Sequence, residues 1–357
     1  MSAAMRHPSM VIAHEQSQLP DHEPAATNPA LLKGDMMAPR ATHIEKLVPQ
    51  TIGHRGFSAV APENTMASFK AATEAGVEAI ETDLHLTRDG VVVLCHDETL
   101  QRCYGNKAKV RDLDWSDISK LRTLREPRQP MPRLIDLLEY VGQPGLENIW
   151  LMLDIKTHDD PEEMMKRTAE ALASVSSTRP WNTRVTPCCW SATYIKLSMT
   201  YLPGYPITHV GFSTTYARYF KDIPNISFSM IQQTLASSSG RRFLRDMKQL
   251  GVPIHVWTVN KESWMESSIQ GGISGVITDE VALFHEVCSQ MGNVEGQIPA
   301  TSKHHRKTAR LGSWFLCRTV RFWGEMAVFH LLGTLFIARE WLRHGSVSHH
   351  ISRVLDG

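Results

Sequence analysis

Apolar residues after residue 47 fall into short continuous runs that alternate with segments of helical periodicity. Eight runs have the length of strands, and their continuity is typical of strands buried on both faces: residues 49–53, 79–86, 91–96, 148–156, 184–190, 207–213, 253–259 and 275–279. Seven stretches have helical spacing: residues 64–75, 133–141, 161–175, 192–201, 241–250, 261–270 and 280–291. This alternation predicts an α/β protein, a closed (β/α)8 TIM barrel. We interpret the irregular residues 98–132 as a small insertion after the third strand.

Polar and aromatic residues cluster where the predicted strands end. In barrels of this kind the active site lies at the carboxyl ends of the strands. We therefore expect these side chains to converge on one rim and to form a pocket there. The candidate site residues are His54, Arg55, Glu63, Glu81, Asp83, His96, Asp154, Lys156 and Trp257.

The carboxylates in the predicted second strand indicate a metal site. Glu81 and Asp83 are two residues apart, so both side chains point to the same face of the strand. Two adjacent carboxylates repel each other unless a cation lies between them, and hard cations prefer oxygen ligands. We predict one divalent cation, Mg²⁺ or Ca²⁺, with Asp154 as the third ligand. The alternative is a structural ion network with Arg55 and Lys156.

Two histidines lie at neighbouring strand ends. Histidine titrates near neutral pH, so one of His54 and His96 could take a proton from a nucleophile while the other protonates a leaving oxygen. The alternative is that both are hydrogen-bonded core residues. His85 has the same strand parity as Glu81 and Asp83, and we expect it to support the site rather than to act in it.

The remaining candidates suit a phosphate ester. The planar fork of Arg55 can grip a phosphate group, and Lys156 offers a point charge to the same group. Trp257 could pack against an aliphatic or glycerol group, or be a buried barrel residue. Glu63 could reach the pocket, whereas the two residues after it are expected to cap a helix.

Length, charge and cysteine pattern limit the class of protein, and periodicity indicates where its barrel lies. With 357 residues, the chain is long enough for one large domain with extensions. A net charge of +1 argues against a nucleic-acid binder. The six cysteines contain no CxxC pair, which indicates reduced thiols and no zinc site. Residues 1–46 show no sustained periodicity and are predicted to be a disordered extension before a barrel at 47–291.

The C-terminal section differs in character from the barrel. Residues 292–310 read as a basic linker, and residues 311–343 are rich in Trp, Phe and Leu. The longest uncharged stretch in that segment, residues 326–338, is shorter than the roughly 20 residues that a spanning helix needs. We predict an interfacial helix or shallow hairpin that associates with a membrane and faces the cytosol on lipid droplets, the endoplasmic reticulum or mitochondria. The alternative is an amphipathic helix packed on the barrel.

Seven motifs in a fixed order resemble the glycerophosphodiester phosphodiesterase family. They are His54-Arg55-Gly56, Glu63-Asn64-Thr65, Glu81-x-Asp83, His96-Asp97, Asp154-Ile155-Lys156, Trp257-Thr258-Val259-Asn260 and Gly275-Val276-Ile277-Thr278-Asp279. The resemblance covers about residues 49–288. It implies a TIM barrel, a divalent metal on Glu81, Asp83 and Asp154, and acid–base roles for His54 and His96. One departure is that many members carry Glu where this chain has Asp154.

Two further segments, residues 187–191 and 209–214, resemble the fungal phosphatidylglycerol-specific phospholipase C branch. Together with the C-terminal section, they favour cleavage of phosphatidylglycerol to diacylglycerol and glycerol 3-phosphate. The alternative substrates are soluble glycerophosphodiesters, which would release glycerol 3-phosphate and an alcohol. In either case the resemblance implies attack by a glycerol hydroxyl on phosphorus and a cyclic phosphate that water opens. Two other hypotheses are a lyase that stops at the cyclic product and a catalytically silent lipid-binding protein.

Overall fold

The computed structural model describes residues 48–295 and 347–356. The predicted extension at 1–46 and the predicted membrane-associating segment at 311–343 lie outside the described residues, as does most of the basic linker. Within the described ranges, no helix is both long enough and apolar enough to span a membrane.

Eight parallel strands close into a barrel, which confirms the predicted fold. The nine strands of the sheet are β1 (Gln50–His54), β2 (Ala79–Leu86), β3 (Val92–Leu94), β4 (Trp150–Ile155), β5 (Val185–Cys189), β6 (Ile207–Gly211), β7 (Ile226–Ile231), β8 (Ile254–Trp257) and β9 (Gly275–Thr278). All except β3 belong to the barrel, in the order β1-β2-β4-β5-β6-β7-β8-β9. Pairing of β9 with β1 closes the ring.

Helices surround the barrel and fill the connections between its strands. They are α1 (Met66–Glu74), α2 (Gln101–Tyr104), α3 (Trp115–Ile118), α4 (Leu134–Val141), α5 (Pro161–Ser174), α6 (Ala192–Tyr201), α7 (Thr214–Ala217), α8 (Gln232–Ala236), α9 (Ser238–Gln249), α10 (Glu262–Gln270), α11 (Val281–Glu295) and α12 (Val347–Asp356). The helix α11 extends four residues past the predicted end of the barrel at residue 291. The apolar sides of the strands and helices form a main core, and two smaller apolar clusters lie among the barrel strands and in the insertion.

The predicted third strand is not a barrel strand. The strand β3 runs antiparallel to β2, with Leu94 opposite Leu84. An antiparallel return needs only a tight turn, whereas a parallel neighbour needs a long crossover. The turn is at Asp89-Gly90, where Gly90 has φ +79°. The insertion therefore begins with β3 and follows the second barrel strand, not a third one.

The strand β7 was missing from the predicted set. Its sequence, Ile-Ser-Phe-Ser-Met-Ile, alternates polar and apolar residues, yet every residue is buried. The hydroxyls are satisfied within the barrel: Ser227 is 2.7 Å from the hydroxyl of Thr208, which in turn is 3.0 Å from that of Thr186. Because β7 contains no continuous apolar run, it was not predicted. The total was still eight because β3 was counted as a barrel strand.

The C-terminal helix α12 packs against the barrel. Ile351 is buried in the main core, and Lys196 of α6 donates a hydrogen bond to the carbonyl oxygen of Leu355 at 3.2 Å. Val354 also packs against this core. An amphipathic helix on the barrel is therefore present, but it follows the segment for which that alternative was considered.

Truncation of Phe228 tests the place of β7 in the core. Phe228 is fully buried, and its ring centroid is 5.2 Å from that of Phe243. We expect Phe228→Ala to lower the free energy of unfolding by about 3–5 kcal/mol through lost burial and a cavity. Leu250→Ala, at a side chain that is 57% exposed, should change it by less than about 0.5 kcal/mol. Urea unfolding measures both, and equal effects would contradict a core position for β7.

Candidate active site

A cavity of about 220 Å³ opens at the carboxyl ends of the barrel strands. This is the end at which barrels of this kind carry their chemistry. Ionisable groups line one part of the cavity and aromatic and aliphatic groups the other. The lining residues are His54, Arg55, Glu81, Asp83, His96, Met152, Asp154, Lys156, Cys188, Trp190, Val210, Phe212, Ser229, Trp257, Thr258 and Ile277.

The end of β1 presents His54, and the tight turn that follows presents Arg55. Arg55 and Gly56 both have left-handed backbone conformations, with φ of +56° and +80°. A Cβ atom on Gly56 would lie 2.7 Å from the backbone oxygen of Ser68, so the close approach of α1 requires glycine. The backbone N–H of Arg55 donates to Glu81 Oε2 at 3.0 Å. The His-Arg-Gly motif therefore joins the turn to the acidic strand.

Three buried carboxylates meet at the bottom of the charged half. Parallel pairing puts Asp83 of β2 in register with Asp154 of β4. One oxygen from each of Glu81, Asp83 and Asp154 lies within 4.8 Å of the others. Lys156 Nζ is 2.6 Å from both aspartates, and Arg55 Nε is 3.3 Å from Asp83. The contacts of the ion-network alternative are thus present around a group of carboxylates with the geometry of a metal site.

Repulsion among the three carboxylates favours a bound cation, even with Lys156, Arg55 and His54 close to them. Burial raises the pKa of Glu81, and the neighbouring Asp83 carboxylate raises it further. Burial also opposes ionisation of Asp83, but Lys156 and Arg55 outweigh it and hold the pKa of Asp83 well below its usual range. The carboxylate oxygens fit a divalent cation, which would relieve the repulsion that Glu81 experiences.

His54 is held by a carboxylate from the far end of the chain. Its Nδ1 is 2.7 Å from Asp279 Oδ1, directly after β9, and the hydroxyl of Ser58 donates to the same oxygen at 2.6 Å. Burial alone would lower the pKa of His54, but the hydrogen bond to Asp279 and the charge of Glu81 outweigh it and raise this pKa. The environment therefore favours a protonated imidazole at this position.

His96 has the opposite tendency. It follows β3, so it reaches the rim from the hairpin rather than from a barrel strand as predicted. Its Nδ1 is 2.7 Å from Asp97 Oδ1. Burial lowers the pKa of His96, and the charges of Lys156 and Arg55 lower it further, against the opposing effect of Asp83. One cavity thus contains two imidazoles whose proton affinities are shifted in opposite directions.

Aromatic rings form the other half of the cavity. Trp190, Phe212 and Trp257 contact one another with ring centroids 5.5–5.9 Å apart. The indole N–H of Trp190 donates to Asp154 Oδ1 at 2.7 Å, and that of Trp257 donates to the carbonyl oxygen of Ser229 at 3.0 Å. The apolar wall is therefore joined directly to the acidic cluster.

Eight of the nine predicted site residues line this cavity, and Glu63 does not. Its carboxylate accepts hydrogen bonds from Arg55 and Arg102 at 2.7 Å, so it lies behind Arg55. Glu63 was predicted to contact substrate. Its position in the sequence did not show that two arginines occupy its oxygens. His85 is 2.7 Å from Asp159 and is not part of the lining.

Three residues with a place in the site were missed. Asn64 was expected to be one of two helix caps, but Thr65 caps α1, and Asn64 donates to Asp83 Oδ2 at 2.8 Å. Asp279 is the last residue of a predicted strand, so the rule that found the other strand ends could have found it. Trp190 belongs to a segment that was singled out for its resemblance to phospholipases and not for chemistry.

The barrel and the residues at its rim define the class of protein. A carboxylate cluster that can hold a metal, two cationic side chains that can bind phosphate and two histidines are typical of a phosphoric diester hydrolase. The sequence model of the Glycerophosphoryl diester phosphodiesterase family matches residues 54–283, and the chain belongs to this metal-dependent family. It is 28% identical over 245 residues to a glycerophosphodiester phosphodiesterase of Caldanaerobacter subterraneus subsp. tengcongensis, covering 64% of this chain and 93% of the relative.

Solved structures share the fold. A glycerophosphodiester phosphodiesterase from Thermotoga maritima superposes with a TM-score of 0.53 at 27% identity, covering 67% of this chain and 98% of the other. A phosphodiesterase from Oleispira antarctica, solved with the product sn-glycerol-3-phosphate, superposes with a TM-score of 0.60 at 20% identity, covering 68% and 97%. The second likeness concerns the fold alone.

Neutralising one carboxylate tests the metal site. A divalent cation at 100 times its dissociation constant stabilises a folded protein by about 2.7 kcal/mol. We expect Mg²⁺ or Ca²⁺ to raise the melting temperature of the unaltered chain, and Glu81→Gln to remove most of this rise because a charged ligand is lost. Asp246→Asn, on a carboxylate paired with Arg218 outside the cavity, should keep it. An undiminished rise in Glu81→Gln, measured by scanning calorimetry, would place the cation elsewhere.

Proposed function

We propose that this protein hydrolyses glycerophosphodiesters with a divalent metal, releasing glycerol 3-phosphate and an alcohol. The observation that carries the proposal is the single cavity in which the carboxylate cluster, Arg55, Lys156 and two oppositely tuned histidines meet. Relatives that match over most of their length include glycerophosphodiester phosphodiesterases, among them a probable one from Mycobacterium tuberculosis that is 28% identical over 256 residues, 69% of this chain and 92% of the relative.

Binding of the phosphate falls to the charged half. Glu81, Asp83 and Asp154 would hold the cation, which would supply Lewis-acid stabilisation of charge on the phosphoryl oxygens. Arg55 and Lys156 would hold the same oxygens and orient the ester. Trp257 would pack against the carbon atoms of the bound glycerol unit.

The two histidines would move the protons. His96, favoured as neutral, would take the proton of the glycerol hydroxyl as its oxygen attacks phosphorus. The bond from phosphorus to the leaving alcohol would break, and His54, favoured as protonated, would give that oxygen its proton. Opposite pKa shifts in one site suit this division. Water would then open the cyclic phosphate with the histidine roles reversed.

One observation favours a second candidate, phospholipase C-type cleavage of phosphatidylglycerol. The two segments that resemble the phospholipase branch each contribute a ring to the aromatic wall, Trp190 and Phe212. In this second proposal the glycerophosphate would occupy the charged half and the wall would face the diacylglycerol. Membrane association through residues 311–343 and a cytosol-facing membrane location remain predictions that belong to this candidate.

Turnover of two substrates by the full chain separates the candidates. With Mg²⁺ or Ca²⁺, we expect glycerophosphocholine to yield choline and glycerol 3-phosphate, and chelator to stop the reaction. His54→Ala and His96→Ala should each lose at least about 100-fold in kcat, since acid–base groups contribute 10²–10⁴-fold. Choline assays and phosphorus NMR measure this, and a persistent cyclic phosphate would indicate a lyase.

Diacylglycerol from phosphatidylglycerol vesicles, without turnover of glycerophosphocholine, would overturn the main proposal in favour of the second. No turnover of either substrate by the metal-loaded chain would contradict both and favour a binding protein.

The pH profile tests the division between the histidines. Activity should be lost on the acid side as His96 gains a proton and on the alkaline side as His54 loses its proton. Asp279 raises the pKa of His54, so Asp279→Asn should move the alkaline limb of kcat/KM to lower pH and leave the acid limb in place. Asp114→Asn, in a surface pair with Arg88, should move neither limb. A shift of the acid limb alone in Asp279→Asn would contradict the assignment.

A further inference from the structure

One arginine of the insertion contacts two carboxylates, one that follows β1 and one that follows β3. Arg102, in α2, has its Nε and Nη2 at 2.7 and 3.0 Å from the two oxygens of Asp97. Its Nη1 and Nη2 are both 2.7 Å from the two oxygens of Glu63. A single guanidinium thus makes two bidentate pairs, and it does not itself line the cavity.

Each of these carboxylates holds a residue of the cavity. Glu63 Oε1 accepts a hydrogen bond from Arg55 Nη1 at 2.7 Å. Asp97 Oδ1 accepts one from His96 Nδ1 at 2.7 Å. The contacts therefore form a continuous chain in which Arg102 joins the residue assigned to phosphate binding to one of the two assigned to proton transfer.

The energetics favour a rigid arrangement. Bidentate guanidinium–carboxylate pairs are directional as well as strong. The side chain of Arg102 is 49% exposed, but those of Glu63 and Asp97 are 21% and 27% exposed, so solvent screens the carboxylate ends of these pairs less than those of an open surface pair. Without the guanidinium, two carboxylates would face each other across the vacated position and repel. They would move apart, and each would take its cavity partner with it.

We propose that Arg102 is a positioning residue that sets the geometry of Arg55 and His96 together, through Glu63 and Asp97. The proposal rests on the function proposed above. It gives a part in catalysis to the helical portion of the insertion, which contributes no side chain from α2 to α4 to the cavity lining. A purely structural arginine would only fasten the insertion, as Arg88 does with its two bonds to Asp114.

Kinetics on glycerophosphocholine test the proposal. We expect Arg102→Ala to lower kcat/KM by about 10–100-fold, because misplacing a catalytic group by about 1 Å can cost up to about 100-fold. Both kcat and KM should change, because Arg55 and His96 would both lose their fixed positions. Glu63→Gln should act mainly on KM, through Arg55, and Asp97→Asn mainly on kcat, through His96. Arg102→Lys should recover only part of the loss, since an ammonium cannot make two forks. Arg88→Ala should change kcat and KM less than twofold.

A variant cycle identifies action through the carboxylates. In a Glu63→Gln, Asp97→Asn background, adding Arg102→Ala should change kcat/KM less than twofold. The carboxylates through which Arg102 acts are already lost in that background. Full additivity would overturn the proposal. So would wild-type kcat and KM in Arg102→Ala, or a loss of melting temperature alone that matches Arg88→Ala.

A readout without turnover separates this proposal from the proposed function. In ¹H–¹⁵N spectra of the histidine side chains, His96 should keep its proton on Nδ1 in the unaltered chain, where Asp97 accepts it. Arg102→Ala should populate the other tautomer, and Arg88→Ala should not. If the unaltered chain fails to hydrolyse glycerophosphocholine, the function fails, and these spectra still decide the positioning role. An unchanged tautomer in Arg102→Ala would overturn it.

Discussion

Repulsion among three buried carboxylates is the constraint on which the rest of the site depends. Parallel pairing of β2 with β4 puts Asp83 beside Asp154, and strand parity puts Glu81 on the same face. Neighbouring donors and cations compensate this concentration of charge. The groups that contact the three carboxylates are the Arg55 side chain and N–H, Lys156, the Asn64 amide and the Trp190 indole. The cluster fits a divalent cation, the ligand that would complete this compensation.

The surroundings of the two histidines explain how one cavity can favour opposite protonation states. His54 lies between the charges of Asp279 and Glu81, which outweigh its burial. His96 has Asp97 as partner, but burial and nearby cations prevail. The carboxylate partners come from separate parts of the fold, since Asp279 follows the last barrel strand and Asp97 follows the hairpin. Each histidine therefore has its own carboxylate, while the charge of Arg55 lowers the pKa of both.

Much of the fold can be predicted from the hydrophobic pattern. The two errors in that prediction, the omission of β7 and the assignment of β3 to the barrel, have physical causes. The strand β7 alternates Ser with apolar residues, and its hydroxyls are paired inside the barrel. Period and composition cannot reveal such pairing, because the partner Thr208 belongs to another strand. The hairpin strand β3 is as apolar as a barrel strand, and only the Asp89-Gly90 turn marks its direction. The family relationship and the hydrolase class were accessible from ordered motifs, and the substrate was not.

The chemical groups at the strand ends, and those that share a face, can be read from the order of residues, because side-chain direction in a strand alternates with fixed period. The contacts of those groups depend on how distant parts of the chain are brought together. His54 and Asp279 are 225 residues apart and meet because β9 closes the ring against β1. Arg102 reaches Glu63, 39 residues before it, because the insertion folds back over the rim. Such partners depend on ring closure and loop path, which no local pattern encodes.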